Sequence, residues 1–183
     1  MSLAASGAHT ARISIRPAEA ADLATLHEIY AGHVLTGVAS FEEEPPTREE
    51  FQRRWQSIVD LGLPYLVACD GDHVLGYAYA GLYRPRSAYR YTVEDSIYLA
   101  PAATGRGTGA RLLGAVIDGA TRAGKRQMLA VIGDSANSAS IALHRRLGFM
   151  PVGTFQSVGF KFERWVDSVL MQRALGAGDT TAP

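Results

Sequence analysis

The second half of the chain contains a short run in which three glycines alternate with other residues: Gly105, Gly107 and Gly109. A β-type run ends just before it at Pro101, and an apolar helical pattern begins just after it at Leu112. A glycine-rich loop that leads into a helix N-terminus can hold an anion, because the first N–H groups of a helix lack intrahelical partners and glycines let a phosphate approach. Arg106 and Arg111 could add charge, and Thr108 a hydroxyl. An ordinary tight turn is the alternative interpretation.

The spacing of these glycines differs from two familiar phosphate-binding loops. A P-loop needs G-x-x-x-x-G-K-[ST], and the run from Gly105 lacks both that spacing and its lysine. The dinucleotide fingerprint needs G-x-G-x-x-G after the first strand of a βαβ unit. Here the third glycine comes one residue too early, and the loop lies past the middle of the chain. Neither of these nucleotide sites is therefore predicted.

A second polar constellation lies on the helix predicted from Ser138 to Leu147. Spacings of three and four residues place Asn137, Ser140 and His144 on one stripe of this helix, beside apolar core positions. Asn137 or Ser138 can also cap the helix N-terminus. An imidazole in such a stripe can donate or relay a proton. The alternative is a solvated polar stripe with a surface histidine near the helix C-terminus.

Glu94 is the carboxylate whose position favours acid–base chemistry. It lies in the strand predicted over residues 91–100, and alternation places it on one face with Ser96 and Tyr98, while Asp95 points to the other face. A carboxylate in a partly desolvated cleft can accept a proton from an ammonium group, because burial moves its pKa towards working pH. A solvent-facing glutamate in an ion pair is the alternative, and Asp95 is interpreted as structural.

The elements that must position these groups follow the order β-α-α-β-β-β-α-β-α-β-β. Thr47 and Glu50 predict a capping box for the second helix, and Asp70-Gly-Asp predicts a hairpin between the second and third strands. The last two strands are predicted over residues 149–155 and 165–172. Because this order mixes an antiparallel meander with βαβ crossovers, it predicts one α/β domain with a mixed sheet.

Length and composition exclude several classes of protein. The 183 residues fit one domain, predicted over residues 11–175, with disordered tails at residues 1–10 and 176–183. The 18 basic and 18 acidic residues give a formal net charge of zero, which argues against a nucleic-acid surface. The sequence has no apolar run that could cross a membrane and no cluster with metal-ligand spacing. Its single cysteine, Cys69, fits a reducing, cytoplasmic compartment.

The glycine loop resembles the acyl-CoA-binding signature [QR]-x-x-G-x-[GA] of the GNAT acetyltransferases, with Thr104 where Gln or Arg is usual. Residues 137–149 resemble the second cofactor motif of that family, N-x-x-[AS]-x-x-[LF]-[YH]-x-[KR]-x-G-F, at every main position. The resemblance implies a GNAT fold, a mostly antiparallel sheet with splayed central strands flanked by helices, and acetyl-CoA as acetyl donor. It places Asn137 at the pantetheine arm and His144 near the thioester sulfur. The residues predicted to bind the donor are Ile97, Tyr98, Leu99, Gly105, Arg106, Gly107, Thr108, Gly109, Ala110, Asn137 and Ser140.

Three further segments resemble the phosphinothricin and methionine sulfoximine N-acetyltransferases: residues 40–42, 81–99 and 159–172. In that family an R-x-R-x-x-Y pattern lies where an amino-acid-like substrate binds, and the glutamate of the following strand is the proposed base. The resemblance therefore implies Glu94 as base, with His144 as the second catalytic residue. The predicted acceptor site comprises Phe41, Glu42, Tyr83, Arg84, Arg86, Tyr89 and Lys161. Guanidinium groups suit a carboxylate or phosphinate because they bind both as a bidentate fork; a solvated arginine loop is the alternative.

Together these features predict an N-acetyltransferase that moves acetyl from acetyl-CoA directly to the α-amine of a small amino-acid analogue. The implied acceptors are methionine sulfoximine, methionine sulfone and phosphinothricin. The alternatives are a GNAT enzyme for another amine, such as a polyamine or a protein N-terminus, a non-catalytic acetyl-CoA-binding module, or a self-associating structural protein. A polyamine site would need an acidic pocket, which residues 42–44 could supply. The resemblance also implies a homodimer, and the apolar last strands could contribute to its interface.

Overall fold

The computed structural model of the chain describes residues 13–183, so the tail predicted at residues 1–10 lies outside the described part. The strands are β1 (Ser14–Pro17), β2 (Tyr65–Asp70), β3 (His73–Leu82), β4 (Thr92–Leu99), β5 (Gln127–Gly133), β6 (Met150–Lys161) and β7 (Arg164–Ala174). The helices are α1 (Leu23–Thr36), α2 (Arg48–Asp60), α3 (Thr108–Arg122) and α4 (Ser138–Arg146). Along the chain these elements follow the predicted order.

The described strands form one sheet in the order β1-β2-β3-β4-β5-β7-β6. Neighbouring strands are antiparallel except β4 and β5, which are parallel and are connected through α3. A parallel pair needs such a crossover, because a tight turn can join only antiparallel strands. The mixed, mostly antiparallel sheet with its helices confirms the predicted fold class.

The parallel pair separates halfway along β4. Its register runs from Thr92 opposite Gln127 to Asp95 opposite Ala130 and then stops. β4 continues to Leu99 alongside β3, while β5 continues alongside β7. Within the described chain, the last residues of β4 therefore have no strand partner on their β5 side, and a cleft opens there. The predicted splay of the central strands is confirmed.

Side chains of β4 alternate between two hydrophobic layers. Val93, Ile97 and Leu99 pack into the larger layer, which also takes side chains of α3 and α4. Tyr98 packs into the smaller layer, with α1 and α2. The apolar stripe that predicts α3 is buried in the larger layer: Leu112, Leu113, Val116, Ile117 and Ala120. Odd-numbered residues of β4 thus face α3 and α4, and even-numbered residues face α1 and α2.

Two local signals of the sequence are present in the structure, one of them only in part. The hairpin between β2 and β3 turns at Gly71, whose φ of 58° favours glycine. Thr47 Oγ1 accepts a hydrogen bond from Glu50 N at 3.2 Å and so caps α2. The Glu50 carboxylate instead binds Arg53 and Arg54, at 2.6 and 3.0 Å. The predicted capping box is therefore half formed.

The last two strands are longer than predicted. β6 and β7 extend beyond the expected segments, and their hairpin closes at Phe162 and Glu163, whose φ angles are 52° and 58°. Two consecutive left-handed residues make a tight hairpin turn that usually contains Asn or Gly. Because neither is present, the turn has no recognisable sequence signal, and β6 was predicted to end at residue 155 rather than at Lys161.

Residues 176–183, for which the sequence predicts a disordered tail, form turns near the start of β5. Arg126 donates hydrogen bonds to Gly178 O and to Thr181 O, each at 2.8 Å. Leu175, just before these turns, is buried and donates its N–H to Arg126 O at 2.9 Å. These contacts hold the segment against the edge of the domain.

Candidate active site

A cleft of about 270 Å³ lies where β4 and β5 separate. Because the strands are apart, side chains from both faces of β4 reach it. Several predicted site residues line it: Phe41, Glu94, Ile97, Tyr98, Asn137, Ser140 and His144. The lining also contains residues that were not predicted for the site: Ala39, Ser40, Asp95, Ser96, Ala130, Val131, Ile132, Gly133 and Ser168.

The loop before α3 is shaped by two left-handed glycines. Gly105 and Gly107 have φ angles of 73° and 76°, and a Cβ on either would meet open space. The first intrahelical bond of α3 runs from Arg111 N to Gly107 O. The N–H groups ahead of it belong to the first three helical residues: Thr108, Gly109 and Ala110. The open loop and these amides match the geometry expected for anion binding.

The start of α3 packs between β4 and α4. A Cβ on Gly109 would lie 3.4 Å from Leu99 and 3.4 Å from Leu143, which is van der Waals contact, so the helix start lies against both. Thr108 is 1% exposed, and its Oγ1 has no hydrogen-bond partner among the described residues. Buried hydroxyls normally find a partner, and an acceptor oxygen of a bound ligand would supply one here.

The two arginines near this loop have different surroundings. Arg106 lies 3.9 Å from the Asp70 carboxylate, and both side chains are partly exposed, so the ion pair is weak. Arg111 donates to Ile13 O at 2.7 Å and ties α3 to the start of the described chain. Arg106 is therefore the arginine that can turn towards a phosphate.

Asn137 caps α4, as the sequence predicts. Its Oδ1 accepts from Ser140 N at 3.2 Å, and its Nδ2 donates to Gly133 O at 3.5 Å. This cap fixes the first turn of α4 beside β5. As a result, Asn137 and Ser140 line the cleft together with His144, one turn further along. The predicted polar stripe faces the cleft rather than solvent.

His144 and Asp95 form a buried pair in this cleft. His144 Nε2 lies 3.0 Å from Asp95 Oδ2, and the two side chains are 3% and 2% exposed. His144 Nδ1 lies 2.7 Å from Ser140 O. Burial by itself would lower the pKa of His144, but the hydrogen bond and charge of Asp95, together with the Ser140 carbonyl, raise it above its ordinary value. Asp95, interpreted from the sequence as structural, thus contacts the predicted catalytic histidine.

Glu94 points to the opposite face of β4 and reaches the cleft from the side of α1 and α2. Burial raises the pKa of its carboxyl, and the negative charge of Asp95 raises it further. Within residues 13–183 no cation offsets this shift, so the ion pair considered from the sequence is not formed there. A carboxylate in this state can accept a proton near neutral pH.

Phe41 closes the cleft from the loop between α1 and α2. A Cβ on Gly159 would lie 2.5 Å from Phe41 Cε2, and one on Gly133 would lie 3.2 Å from its Cε1. Glycine at both positions leaves the space that the ring occupies. Ser40, next to Phe41, is held by a 3.0 Å hydrogen bond between its Oγ and Tyr30 Oη. The Phe41 ring therefore packs in one position between the loop and β6.

Lys161 holds the same loop from behind. It is 2% exposed, and its ammonium donates to Val34 O at 2.7 Å and to Ser40 O at 2.8 Å. Burial lowers the pKa of this ammonium, while nearby carboxylates oppose the shift. The structure thus places Lys161, predicted to bind the acceptor, at the end of α1 behind Phe41.

Glu42 lies beside the cleft rather than in its lining. Its Oε1 accepts from Arg54 Nη1 of α2 at 2.6 Å. Its Oε2 is buried and has no hydrogen-bond partner in the described part of the chain. The carboxylate is therefore turned towards α2 and leaves one oxygen available.

The arginines predicted for acceptor binding lie in the loop between β3 and β4, outside the cleft lining. The Arg84 guanidinium lies 4.9 Å from the ring centroid of Tyr83 and 5.8 Å from that of Tyr89. Arg84, Arg86 and Tyr89 line a separate cavity. Because the end of β3 pairs with β4 at Glu94, this loop lies at the Glu94 end of the cleft.

Sequence reasoning missed the β5 and β7 side of the cleft. Residues 130–133 of β5 line it opposite β4, and Ser168, which is 5% exposed, reaches it from β7. Residues 130–133 belong to an apolar strand, and Ser168 is a serine within another strand. Neither sequence pattern predicts a binding or catalytic site. The predicted splay of β4 was the signal that could have identified them.

Acidic, histidine and cysteine side chains do not gather into a metal site in the described chain. Between residues 13 and 183, no group of three or more such side chains could hold a metal ion. No helix in the same part of the chain is long and apolar enough to cross a membrane.

Known proteins with this sequence pattern are acetyltransferases. Residues 26–149 match the Acetyltransferase (GNAT) family. The chain is 55% identical over 162 residues to a phosphinothricin N-acetyltransferase of Alcaligenes faecalis, covering 88% of this chain and 82% of that protein. It is 40% identical over 163 residues to an L-methionine sulfoximine/L-methionine sulfone acetyltransferase of Salmonella typhimurium, covering 89% and 95%.

The fold is also similar to that of a solved structure. A GNAT superfamily phosphinothricin acetyltransferase from Sinorhizobium meliloti, crystallised in complex with AcCoA, matches with a TM-score of 0.90 at 49% identity. The match covers 93% of this chain and 92% of that chain. The family match spans more than half of the chain, and both relatives cover most of it. The chain therefore belongs to the GNAT acetyltransferase family.

Proposed function

We propose that the protein is an N-acetyltransferase that moves the acetyl group of acetyl-CoA directly to the α-amine of a small amino-acid analogue. The proposed acceptors are methionine sulfoximine, methionine sulfone and phosphinothricin. One observation carries the proposal: the cleft between β4 and β5 has a carboxylate of raised pKa on one face and an imidazole of raised pKa on the other. The names of the two relatives support the choice of acceptor.

The donor binds on the face formed by α3 and α4. Amides at the start of α3 hold its pyrophosphate, and the Thr108 hydroxyl, which has no partner among residues 13–183, fits an acceptor oxygen at that point. Asn137 and Ser140 lie along the path of the pantetheine arm at the start of α4. The unpaired edge of β4 at residues 97–99 offers backbone groups to the thioester end. The splay of the strands thus leaves room and hydrogen-bonding groups for the same ligand.

The acceptor binds on the other face, where Glu94 and Phe41 meet. Glu94 accepts the ammonium proton, directly or through one water, and so generates the neutral amine that attacks the carbonyl. Phe41 forms the apolar wall of this site, and Arg84 and Arg86 in the nearby loop take the carboxylate or phosphinate of the acceptor. Lys161 supports this site by holding the Phe41 loop, with its ammonium on backbone carbonyls.

The chemical step uses groups from both faces of β4. A backbone N–H within residues 97–99 polarises the thioester carbonyl and stabilises the tetrahedral intermediate. Glu94 passes the ammonium proton to solvent before the attack, and its carboxylate then takes the second proton, which nitrogen loses as the tetrahedral intermediate collapses. When the C–S bond breaks, the thiolate receives a proton that originates on His144. The base therefore acts on the amine nitrogen and the acid on the thiolate sulfur, from opposite sides of the sheet.

We also infer a homodimer built on the outer hairpin. β6 is the last strand of the sheet, and large exposed apolar side chains lie on it, in the hairpin turn and at the start of β7: Met150, Val152, Phe155, Val158, Phe160, Phe162 and Trp165. An exposed apolar edge strand is an association surface. Size-exclusion chromatography with light scattering should give twice the chain mass of 19.6 kDa, and a monomer would disprove the interface. The proposed location is the cytoplasm, where Cys69 stays a thiol.

Thiol release from acetyl-CoA against a panel of amines tests the proposed activity. We expect turnover with methionine sulfoximine, methionine sulfone and phosphinothricin, and none with spermidine or a short peptide. Turnover confined to spermidine or the peptide would refute the acceptor class while retaining the enzyme class. Calorimetric binding of acetyl-CoA without turnover of any amine would refute the activity and favour a binding module.

A further inference from the structure

We propose that Asp95 is a positioning residue for the acid step, whose carboxylate fixes the His144 ring and keeps it in the form that can give a proton. This inference rests on the proposed function, in which His144 supplies the proton of the leaving thiol. It gives adjacent residues of β4 opposite tasks, because Glu94 faces the acceptor and Asp95 faces the donor.

The hydrogen bonds of the ring define its protonation. Ser140 O, 2.7 Å from Nδ1, is a carbonyl oxygen and can only accept, so Nδ1 carries a hydrogen. Asp95 Oδ2, 3.0 Å from Nε2, is a carboxylate oxygen and accepts from the second nitrogen. Acceptors at both nitrogens fit an imidazolium ring beside the Asp95 carboxylate. Neutral histidine could satisfy both contacts only if the Asp95 carboxyl carried the proton instead.

Asp95 is the charged group that contacts the His144 ring, so it controls the protonation of that ring. From β4, Asp95 contacts the ring and Glu94 points to the other face. On α4 itself, Arg145 and Arg146 are exposed. Phe149 packs edge-on against the ring at a centroid distance of 5.0 Å. From β5 and β7 the cleft lining is apolar or hydroxyl-bearing.

The carboxylate of Asp95 is poorly arranged for stability alone. Its side chain is 2% exposed, and its Oδ1 is buried without a hydrogen-bond partner among residues 13–183. A buried charge with one oxygen unsatisfied weakens a fold. Such costs concentrate at sites that do chemistry, which favours a functional reason for this carboxylate.

Ser140 provides the route from the ring to the cleft. Its Oγ lies 3.4 Å from His144 Nδ1 and lines the cleft beside Asn137. As the C–S bond breaks, the thiolate takes the hydroxyl proton of Ser140, and Ser140 takes the proton of Nδ1. The ring becomes neutral and keeps Nε2–H on Asp95, while the amine proton is on Glu94. A thiol has a pKa of about 8.5, above the ordinary histidine value of about 6.5, so the departing thiolate can draw this proton from the ring.

Nitrogen NMR of the histidine rings tests the pair without any turnover. In ¹⁵N-histidine protein, we expect the His144 ring to be doubly protonated at pH 7 and to titrate above the ordinary range of histidine. His144→Gln assigns the signals. Asp95→Asn should move the titration to lower pH, and Asp118→Asn, an exposed aspartate of α3, should leave it unchanged. A neutral His144 ring at pH 7 in the native chain would overturn the proposal, even if Asp95→Asn fails to fold.

Kinetics then separate positioning from a structural role. Asp95→Asn should lower kcat by about tenfold to 100-fold and shift the alkaline limb of the kcat profile to lower pH, with little change in the KM for acetyl-CoA. Ser140→Ala should lower kcat without moving the His144 titration. If Asp95→Asn moves the His144 titration but His144→Gln retains full kcat, the pair is structural, and that result would overturn the proposal. If no amine in the panel is acetylated, the proposed function fails, and the NMR result alone decides whether Asp95 controls the ring.

Discussion

Replacing Gly159 with alanine is expected to disturb acceptor binding from a position outside the cleft lining. The new Cβ would lie 2.5 Å from Cε2, 2.8 Å from Cδ2 and 2.9 Å from Cζ of Phe41. Non-bonded carbon atoms need about 3.5 Å, so the ring must move by roughly 1 Å. Because a displacement of about 1 Å can cost about 100-fold in catalysis, we expect kcat/KM for the acceptor to fall by about tenfold to 100-fold.

The same crowding should lower the stability of the domain. Overpacking costs about 1–3 kcal/mol, and each kcal/mol shifts the Tm of a chain of this size by about 2–4 °C. We therefore expect the Tm of Gly159→Ala to fall by about 2–12 °C. Gly153→Ala is the matched control, since it makes the same change in β6 where a Cβ meets nothing within 4 Å.

Two measurements on both variants test the assignment of Phe41 to the acceptor site and the crowding of its ring. Steady-state kinetics give each KM separately, with methionine sulfoximine varied at saturating acetyl-CoA and then with acetyl-CoA varied at saturating methionine sulfoximine. Thermal unfolding gives the Tm. The KM for acetyl-CoA should stay unchanged in both. A Gly159→Ala protein with a lowered Tm but native acceptor kinetics would refute the assignment of Phe41 to the acceptor site. A native Tm as well would refute the crowding itself.

Two further substitutions test the base and the arginine loop. Glu94→Gln should lower kcat by about 100-fold or more with nearly unchanged acetyl-CoA binding by calorimetry, and native turnover across pH would remove Glu94 as base. The pKa of Glu94 is raised in the folded state, so Glu94 contributes stability that is complete below its unfolded pKa of about 4.3. That stability is lost as pH rises through the folded pKa. Glu94→Gln should therefore have a higher Tm than the native chain at pH 7 but not at pH 4. Arg86→Ala should raise the acceptor KM about tenfold or more, with Arg90→Ala of the same loop as control, and equal acceptor KM values would contradict the role of Arg86.

The order of elements and the local structure at the starts of α3 and α4 could be predicted because their signals are local. The glycines before α3 and the cap at Asn137 each depend on a few neighbouring residues, and the structure places both as expected. The apolar stripe of α3 gives its buried face directly. The hairpin at Phe162 and Glu163 shows the limit of such reasoning, since its left-handed turn has no glycine to announce it.

The partners of buried charged groups could not be predicted, because they come from distant parts of the chain. Lys161 was expected beside the acceptor, yet its ammonium lies on Val34 O and Ser40 O, more than 120 residues away in sequence. Asp95 was correctly placed on the face away from Glu94. Its pairing with His144, however, depends on how α4 packs over the splayed strands, which alternation along one strand cannot reveal.

The hydrogen-bond directions around His144 also bear on the choice between direct transfer and an acyl-enzyme. Ser140, His144 and Asp95 have the composition of a hydrolase triad, in which the histidine must accept the serine proton at a bare ring nitrogen. Here Nδ1, the nitrogen next to Ser140 Oγ, already donates to Ser140 O at 2.7 Å, closer than the 3.4 Å to the hydroxyl. The ring can therefore give a proton to Ser140 but cannot take one from it. This polarity favours attack by the acceptor amine itself, with His144 and Asp95 serving the departing thiol.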